Sequence, residues 1–324
     1  MFSQQIKTSV KKALATQTGW RLSAPLRKRG VIALTYHRIN AETDFFPGMP
    51  VAQFRSQMEW LCKNCTPIWP EEILDAASRS DRIRPPVVIT FDDGYRDFHD
   101  HAYPILQEMR IPAVMFLSTD FIDHGGLIWT EALSWAVMTT RELAVRVPWL
   151  PEDSTSLLTT DSRKTFIAGC KKYLKGIPND ERKSWMTMLL QNLNVSDPAV
   201  GLDRQMLTWD EVRAMREGTR FGGHSHTHPI LSQLTTESIE YEILTCRNRI
   251  AEETGEPPRC FAYPNGRACD FNETTKILLR RHGFDIAFST VEGIIGKDSD
   301  PFALPRQHSG GSSIGDFAAL VGRA

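Results

Sequence analysis

Val87-Val88-Ile89-Thr90-Phe91-Asp92-Asp93-Gly94 is a strand-forming run that ends on two carboxylates and a glycine. A continuous apolar run of this length reads as a strand covered on both faces, the situation of a parallel sheet flanked by helices. Arg84-Pro85-Pro86 introduces the run and Gly94 releases it, so both carboxylates fall at the C-terminal end of the strand. Parallel α/β folds build their sites at that end.

Working outward, the same grammar recurs. Upstream, VIALTYHRI (31–39) is a β-rich run ending near His37, followed by a helical pattern through Phe54, Met58 and Leu61, a short TPIW strand and a helix from Pro70 to about Ser78. Downstream, Tyr95 to Met109 reads as a helix interrupted at Pro104, and IPAVMFLST (111–119) returns as a buried strand. Strand, helix and strand at this spacing imply a parallel crossover. The alternation resumes with TRFGG (219–223), a helix from about Glu237 to Glu253, the strand RCFAYP (259–264), a helix through Ile277 to Arg281 and the strand DIAFS (285–289). Such a chain predicts a barrel or a doubly wound α/β sheet. Between about residues 125 and 205 the pattern changes to Trp-, Leu-, Met- and Lys-rich helices. Because strand-helix alternation continues on both sides, this stretch reads as a helical insertion in one domain spanning 31–324.

The first 30 residues differ from the rest. They hold seven basic side chains and no acidic one, which leaves the remainder at 31 Lys+Arg against 39 Asp+Glu, or −8. Phe2, Ile6, Val10 and Leu14 recur at helical spacing beside Lys7 and Lys11, so residues 1–30 are expected to form a basic amphipathic leader able to rest on an anionic membrane surface. The leader lacks the continuous apolar segment and small-residue cleavage site of a secretory signal, and a cytoplasmic, membrane-associated location is the expectation. With 41% apolar residues and no run near 20 of them, the chain reads as globular and not membrane-spanning. Outside the leader its acidic balance argues against a nucleic-acid partner. Cys62 and Cys65 form the one CxxC among six scattered cysteines and read as buried or partly buried thiols without function.

Two segments carry chemistry. Adjacent carboxylates such as Asp92 and Asp93 can divide labour, one binding a cation while the other takes a proton; without a cation nearby the pair would be costly. GGHSHTHP (222–229) holds three histidines in five residues, and a helical turn would bring His224 and His228 to one ion. His226, between them, would point elsewhere. One Asp and two His leave positions open for water and substrate, the layout of a catalytic divalent metal, with zinc the first candidate. The same ligand set serves non-haem iron oxygenases, but those use an all-β scaffold.

TFDDG (90–94) followed about 130 residues later by HSHTH (224–228) resembles the first two motifs of the NodB-like polysaccharide deacetylases of carbohydrate esterase family 4. That resemblance implies a distorted (β/α) barrel of about seven parallel strands, Asp92 as general base, Asp93, His224 and His228 as metal ligands, and Ser225 as a support for the loop. It implies also that a backbone N–H near Asn265 holds the oxyanion and that Tyr263 lines the sugar site. Two departures stand out. FAYPNG (261–266) has Ala262 where the family carries an arginine that braces the base, and Arg306 or another basic group is expected in its place; Arg306 is also counted with the substrate-binding residues. The late Leu-x-His of common members is absent, since Leu304 and His308 do not match that spacing. Thr35-Tyr36-His37-Arg38 instead resembles the early Tyr-His of the biofilm poly-N-acetylglucosamine deacetylases, which makes His37 the expected acid, ahead of His308. The expected reaction is metal-dependent hydrolysis of an N-acetyl or similar acyl group from an amino sugar in a glycan or glycan precursor. A deformylase or deacylase of lipid-linked or nucleotide-linked sugars and a catalytically silent carbohydrate-binding relative are the alternatives.

Overall fold

A computed structural model describes residues 2–40, 46, 48–79, 81–150, 155–195, 202–310 and 313–323, leaving aside the side chains of 2–6 and 323. Its centre is a sheet of parallel strands: β1 Ile32–Tyr36, β2 Thr66–Pro67, β3 Pro86–Phe91, β4 Ala113–Leu117, β5 Thr219–Gly223, β6 Cys260–Ala262, β7 Ile286–Phe288 and β8 Gln307–His308. Seven of them follow the order β8-β1-β3-β4-β5-β6-β7, and β2 pairs with the start of β3. One extended segment links the two edges: Leu304 bridges to Phe288 of β7, and Gln307 lies beside Leu34 of β1. The result is the distorted seven-stranded α/β barrel expected from the motif resemblance.

Strand alternation sorts the side chains into an inner and an outer set. Ala33, Val88, Val114, Phe116, Ala262, Ile286 and Phe288 share the interior cluster, whereas Leu34, Tyr36, Ile89, Phe91, Met115 and Leu117 face the surrounding helices. The interior is narrow. A Cβ added at Gly222 would lie 2.4 Å from the Phe116 ring and 2.8 Å from the Cys260 carbonyl, so β5 passes this level only as glycine. Pro104 does not break a long helix; it occupies the first turn of Tyr103–Met109, where its missing N–H is not needed, after a wide π-type turn over Phe98–Ala102.

Between β4 and β5 the helices Trp129–Thr139, Thr160–Leu174 and Asn179–Asn192 pack around a separate cluster that includes Leu133, Val137, Phe166, Leu174 and Leu189. At the N-terminus, helix Phe2–Ala15 packs along helix Ile314–Arg323, with Lys11 2.5 Å from Asp316. Of the proposed apolar stripe, Leu14 packs against the core and Val10 is exposed, while the Phe2 and Ile6 side chains lie outside the described residues. Trp20 is fully buried, donates its Nε1–H to the Asn64 carbonyl and carries the Arg27 guanidinium over its ring at 3.6 Å. No helix among the described residues is long and apolar enough to cross a membrane.

Candidate active site

Two rules of local backbone geometry assemble the site at the C-terminal ends of the strands. By alternation, Val88, Thr90 and Asp92 point inward from β3, and Asp93 would point outward. Asp93 instead takes φ +79°, the left-handed region, so both carboxylates border the same cavity of about 820 Å³. Four of the six non-glycine residues with positive φ among those described, Asp93, Ser225, His228 and Asn265, lie at this cavity or in the histidine loop. Each such residue costs of order 1–3 kcal/mol, a strain that concentrates at functional sites.

The histidine segment is not the helical turn that its spacing suggested. His224 follows β5 directly, and positive φ at Ser225 (62°) and His228 (58°) folds the intervening loop so that the two rings meet, centroids 4.9 Å apart. Asp93 Oδ1 lies 3.2 Å from His224 Nε2 and 3.3 Å from His228 Nε2. Among the described residues these three form the one group of His, Cys, Asp or Glu whose ligand atoms all lie within 4.8 Å of one another. The donor chemistry suits a divalent cation. His224 Nδ1–H donates to the Ala262 carbonyl at 2.7 Å, so Nε2, which faces Asp93, is the nitrogen available to ligate a cation. Burial would raise the Asp93 pKa, but hydrogen bonds from His224 and His228 hold it well below the usual carboxylate range. Burial pushes His228 below its ordinary value, towards the neutral ring a metal requires; at His224 burial acts the same way but Asp93 and Asp92 outweigh it and raise the value.

Asp92 is held differently. Arg306, 1% exposed inside the barrel, donates Nη1–H to Oδ1 and Nη2–H to Oδ2, both at 2.7 Å, and gives Nη1 to Thr90 Oγ1 and Nε to the Ser289 carbonyl. Its guanidinium carbon sits 5.8 Å from the ring centroids of both Phe116 and Phe288. Burial opposes ionisation of Asp92, yet Arg306 foremost, with His224 and His37, keeps the carboxyl below its ordinary pKa and charged at neutral pH. Arg306 thus stands where the expected brace is needed, reaching Asp92 from far along the chain. At 1% exposure it does not line the cavity, so it is not the substrate-binding residue expected from the sequence. Tyr263 needs the same correction. Its ring stacks on Phe271 at 3.9 Å and its hydroxyl donates to the Phe302 carbonyl, so the side chain fills the core although the residue borders the cavity. Asn265 also borders the cavity, with its Nδ2 buried and unpartnered.

Two imidazoles flank the carboxylate. His37 Nε2 is 3.9 Å from Asp92 Oδ2 on a side chain 42% exposed, and His308 lines the same cavity with its ring centroid 6.3 Å from that of His37.

One contributor escaped the reading of motifs. Glu242, on helix Thr236–Thr254, accepts the His226 and Thr227 backbone N–H groups at 2.8 Å and the Thr227 hydroxyl at 2.6 Å. Ser225 Oγ accepts the His228 N–H at 3.1 Å, and His226 turns away to meet Thr119 Oγ1 at 2.9 Å. A signal for Glu242 existed: it sits at helical spacing among the buried Ile239, Ile243 and Cys246, and a carboxylate on an apolar face needs partners. Glu242→Ala should leave two part-buried N–H donors without their carboxylate partner, at a cost of about 1 kcal/mol in chemical denaturation. It should also weaken zinc affinity by roughly 10- to 100-fold, as for other groups that orient ligands. Unchanged stability and zinc titration would remove Glu242 from the site.

The chain is similar to known proteins over different lengths. A family model described as polysaccharide deacetylase matches residues 79–287. The chain is 34% identical over 95 residues to the poly-beta-1,6-N-acetyl-D-glucosamine N-deacetylase of Escherichia coli (strain K12), an alignment covering 28% of this chain and 14% of that protein. Among solved structures, IcaB from Ammonifex degensii superposes with a TM-score of 0.58 at 17% identity over 91% of this chain and 97% of its own. The Streptococcus pyogenes deacetylase PplD, solved with acetate, superposes with a TM-score of 0.56 at 18% identity over 86% and 91%. At these identities the structural likeness speaks for the fold.

Proposed function

The chain belongs to the polysaccharide deacetylase family, and from that premise we propose that it hydrolyses the N-acyl group of an amino sugar in a glycan or glycan precursor, as a metal-dependent amide hydrolase. The observation that carries the proposal is the convergence of Asp93, His224 and His228 beside a carboxylate, Asp92, that has a separate ion-pair partner. A divalent cation on the three ligands, zinc by the His and carboxylate donor set, would polarise the acyl carbonyl and lower the pKa of a water in an open position.

The protein groups divide the rest of the work. Asp92, ionised and held in one orientation by Arg306, accepts the proton of the attacking water. The backbone N–H at Asn265, on a left-handed turn at the cavity wall, is the candidate donor to the carbonyl oxygen as charge develops there. The C–N bond then breaks, and the nitrogen needs a proton because an amine anion is too basic to leave. His37 supplies it in this reading: it directly follows the first barrel strand and stands partly exposed beside Asp92, whereas Arg306 is buried. The products are a carboxylate and a free amine.

The test is release of acetate from acetylated amino-sugar oligomers by zinc-loaded protein. In the same assay His37→Ala should lower kcat by about 10²- to 10⁴-fold with zinc content retained, and His308→Ala should have a much smaller effect. Loss of turnover on replacing His308 and not His37 would transfer the acid role to His308.

A further inference from the structure

The helical insertion brings to the cavity one cation that forms no ion pair with an acidic group among the described residues. Lys175 caps helix Thr160–Leu174 and borders the cavity together with Asp92, His224 and His228. Its backbone is tied to the site, because its carbonyl accepts Gln233 Nε2–H at 2.7 Å and Gln233 lies five residues beyond His228. Its ammonium has no hydrogen-bond or ion-pair partner among the described residues. The nearby acids are committed elsewhere. Glu131 is held by Arg38 through two hydrogen bonds of 2.8 and 3.0 Å, and Asp270 by Arg267 through two of 3.0 Å. Lys171, one turn earlier on the same helix face, adds a second positive charge. Burial, with repulsion from Arg267 at Lys175 and from Lys175 at Lys171, pushes both lysines below their ordinary pKa even though Asp270 and Glu131 pull the other way.

A partly desolvated ammonium gains most from an anion, whereas sugar hydroxyls return little more than the water it gave up. We propose that Lys175 seats an anionic group of the substrate, so that the acylated amino sugar processed here carries a phosphate or a carboxylate. The inference rests on the amide-hydrolase reading above and narrows its substrate class. Phosphate would come from a nucleotide-linked or lipid-linked sugar and carboxylate from a uronic acid in a glycan chain, two sources with the same recognition chemistry.

The experiment compares the zinc-loaded protein on three probes: neutral N-acetylglucosamine oligomers, N-acetylglucosamine 1-phosphate, and an N-acetylglucosamine disaccharide bearing a uronic acid. At low salt, kcat/KM should favour an anionic probe. In Lys175→Met the ratio of anionic to neutral kcat/KM should fall roughly 10- to 100-fold, the worth of one charge-assisted hydrogen bond, mainly through KM; Lys175→Arg should restore most of it. Whichever anionic probe carries the effect identifies the source. An equal ratio in wild type and Lys175→Met, or a wild-type preference for the neutral oligomer, would overturn the proposal. Equilibrium binding of the same two anionic probes separates the two levels. If no probe is hydrolysed but binding is lost in Lys175→Met and kept in Lys175→Arg, the hydrolase reading fails and the anion seat stands. If binding is indifferent to the substitution, the seat fails whatever the turnover.

Discussion

His224→Ala should abolish stoichiometric zinc binding and, with it, acetate release. The ring it removes is one of the three proposed ligands, and no other His, Cys, Asp or Glu among the described residues completes such a group. Two ligands rarely retain a catalytic zinc, and the Ala262 carbonyl that orients His224 would be left without its donor. Asp93→Ala should behave alike. Asp92→Asn is the informative contrast: its carboxylate faces Arg306 and is not in the ligand group, so zinc should remain at one per chain while kcat falls by about 10²- to 10⁴-fold. Zinc measured on dialysed protein together with turnover separates the two roles. Full zinc occupancy in His224→Ala would dissolve the proposed centre, and zinc lost from Asp92→Asn would reassign Asp92 as a ligand.

The second large effect is expected at Arg306. Replacing it with Met deletes a buried guanidinium and leaves the buried Asp92 carboxylate unpaired, a change that typically costs about 3–5 kcal/mol. The pair depresses the folded-state pKa of Asp92 relative to the unfolded chain, so its stabilisation is present above the unfolded value of about 3.9 and is lost as pH falls through the lower folded one. Denaturation of Arg306→Met at neutral pH should therefore show nearly the whole loss. Combining it with Asp92→Asn should recover part of that loss, because the unpaired charge is gone. Activity should suffer independently, since an unpaired Asp92 would take up a proton more readily and would no longer be held in one orientation. A single variant within about 0.5 kcal/mol of the parent, or strictly additive effects in the double variant, would mean that the pair is not the brace described.

These two sites show unequal legibility. The Asp92-Asp93-Gly94 terminus, the strand that presents it and the clustered histidines could be read from residue order, because strand alternation and turn preference act over neighbouring positions. The spacing of His224 and His228 pointed to a shared ion but to the wrong backbone: left-handed residues at Ser225 and His228, not a helical turn, bring the rings together. A glycine would have announced such a turn, and serine and histidine do not. Tyr263 misled for a related reason. An aromatic residue beside a motif reads equally well as a sugar platform or as core, and only the ring of Phe271 and the carbonyl of Phe302 select the core.

Local and periodic features could therefore be read in residue order: the parallel α/β class, the insertion between its halves, and the set of residues able to ligate a cation. Pairing across distance became visible only in the folded chain. Arg306 meets Asp92 from 214 positions away, Glu242 clamps a loop from a neighbouring helix, and Lys175 reaches the cavity from the insertion. Alternation and turn chemistry constrain a residue through its covalent neighbours and so leave a mark on the residues around it. A buried ion pair constrains two residues through the desolvation cost that each would bear alone, and nothing in the intervening chain records which partner offsets that cost until the barrel closes and brings them together.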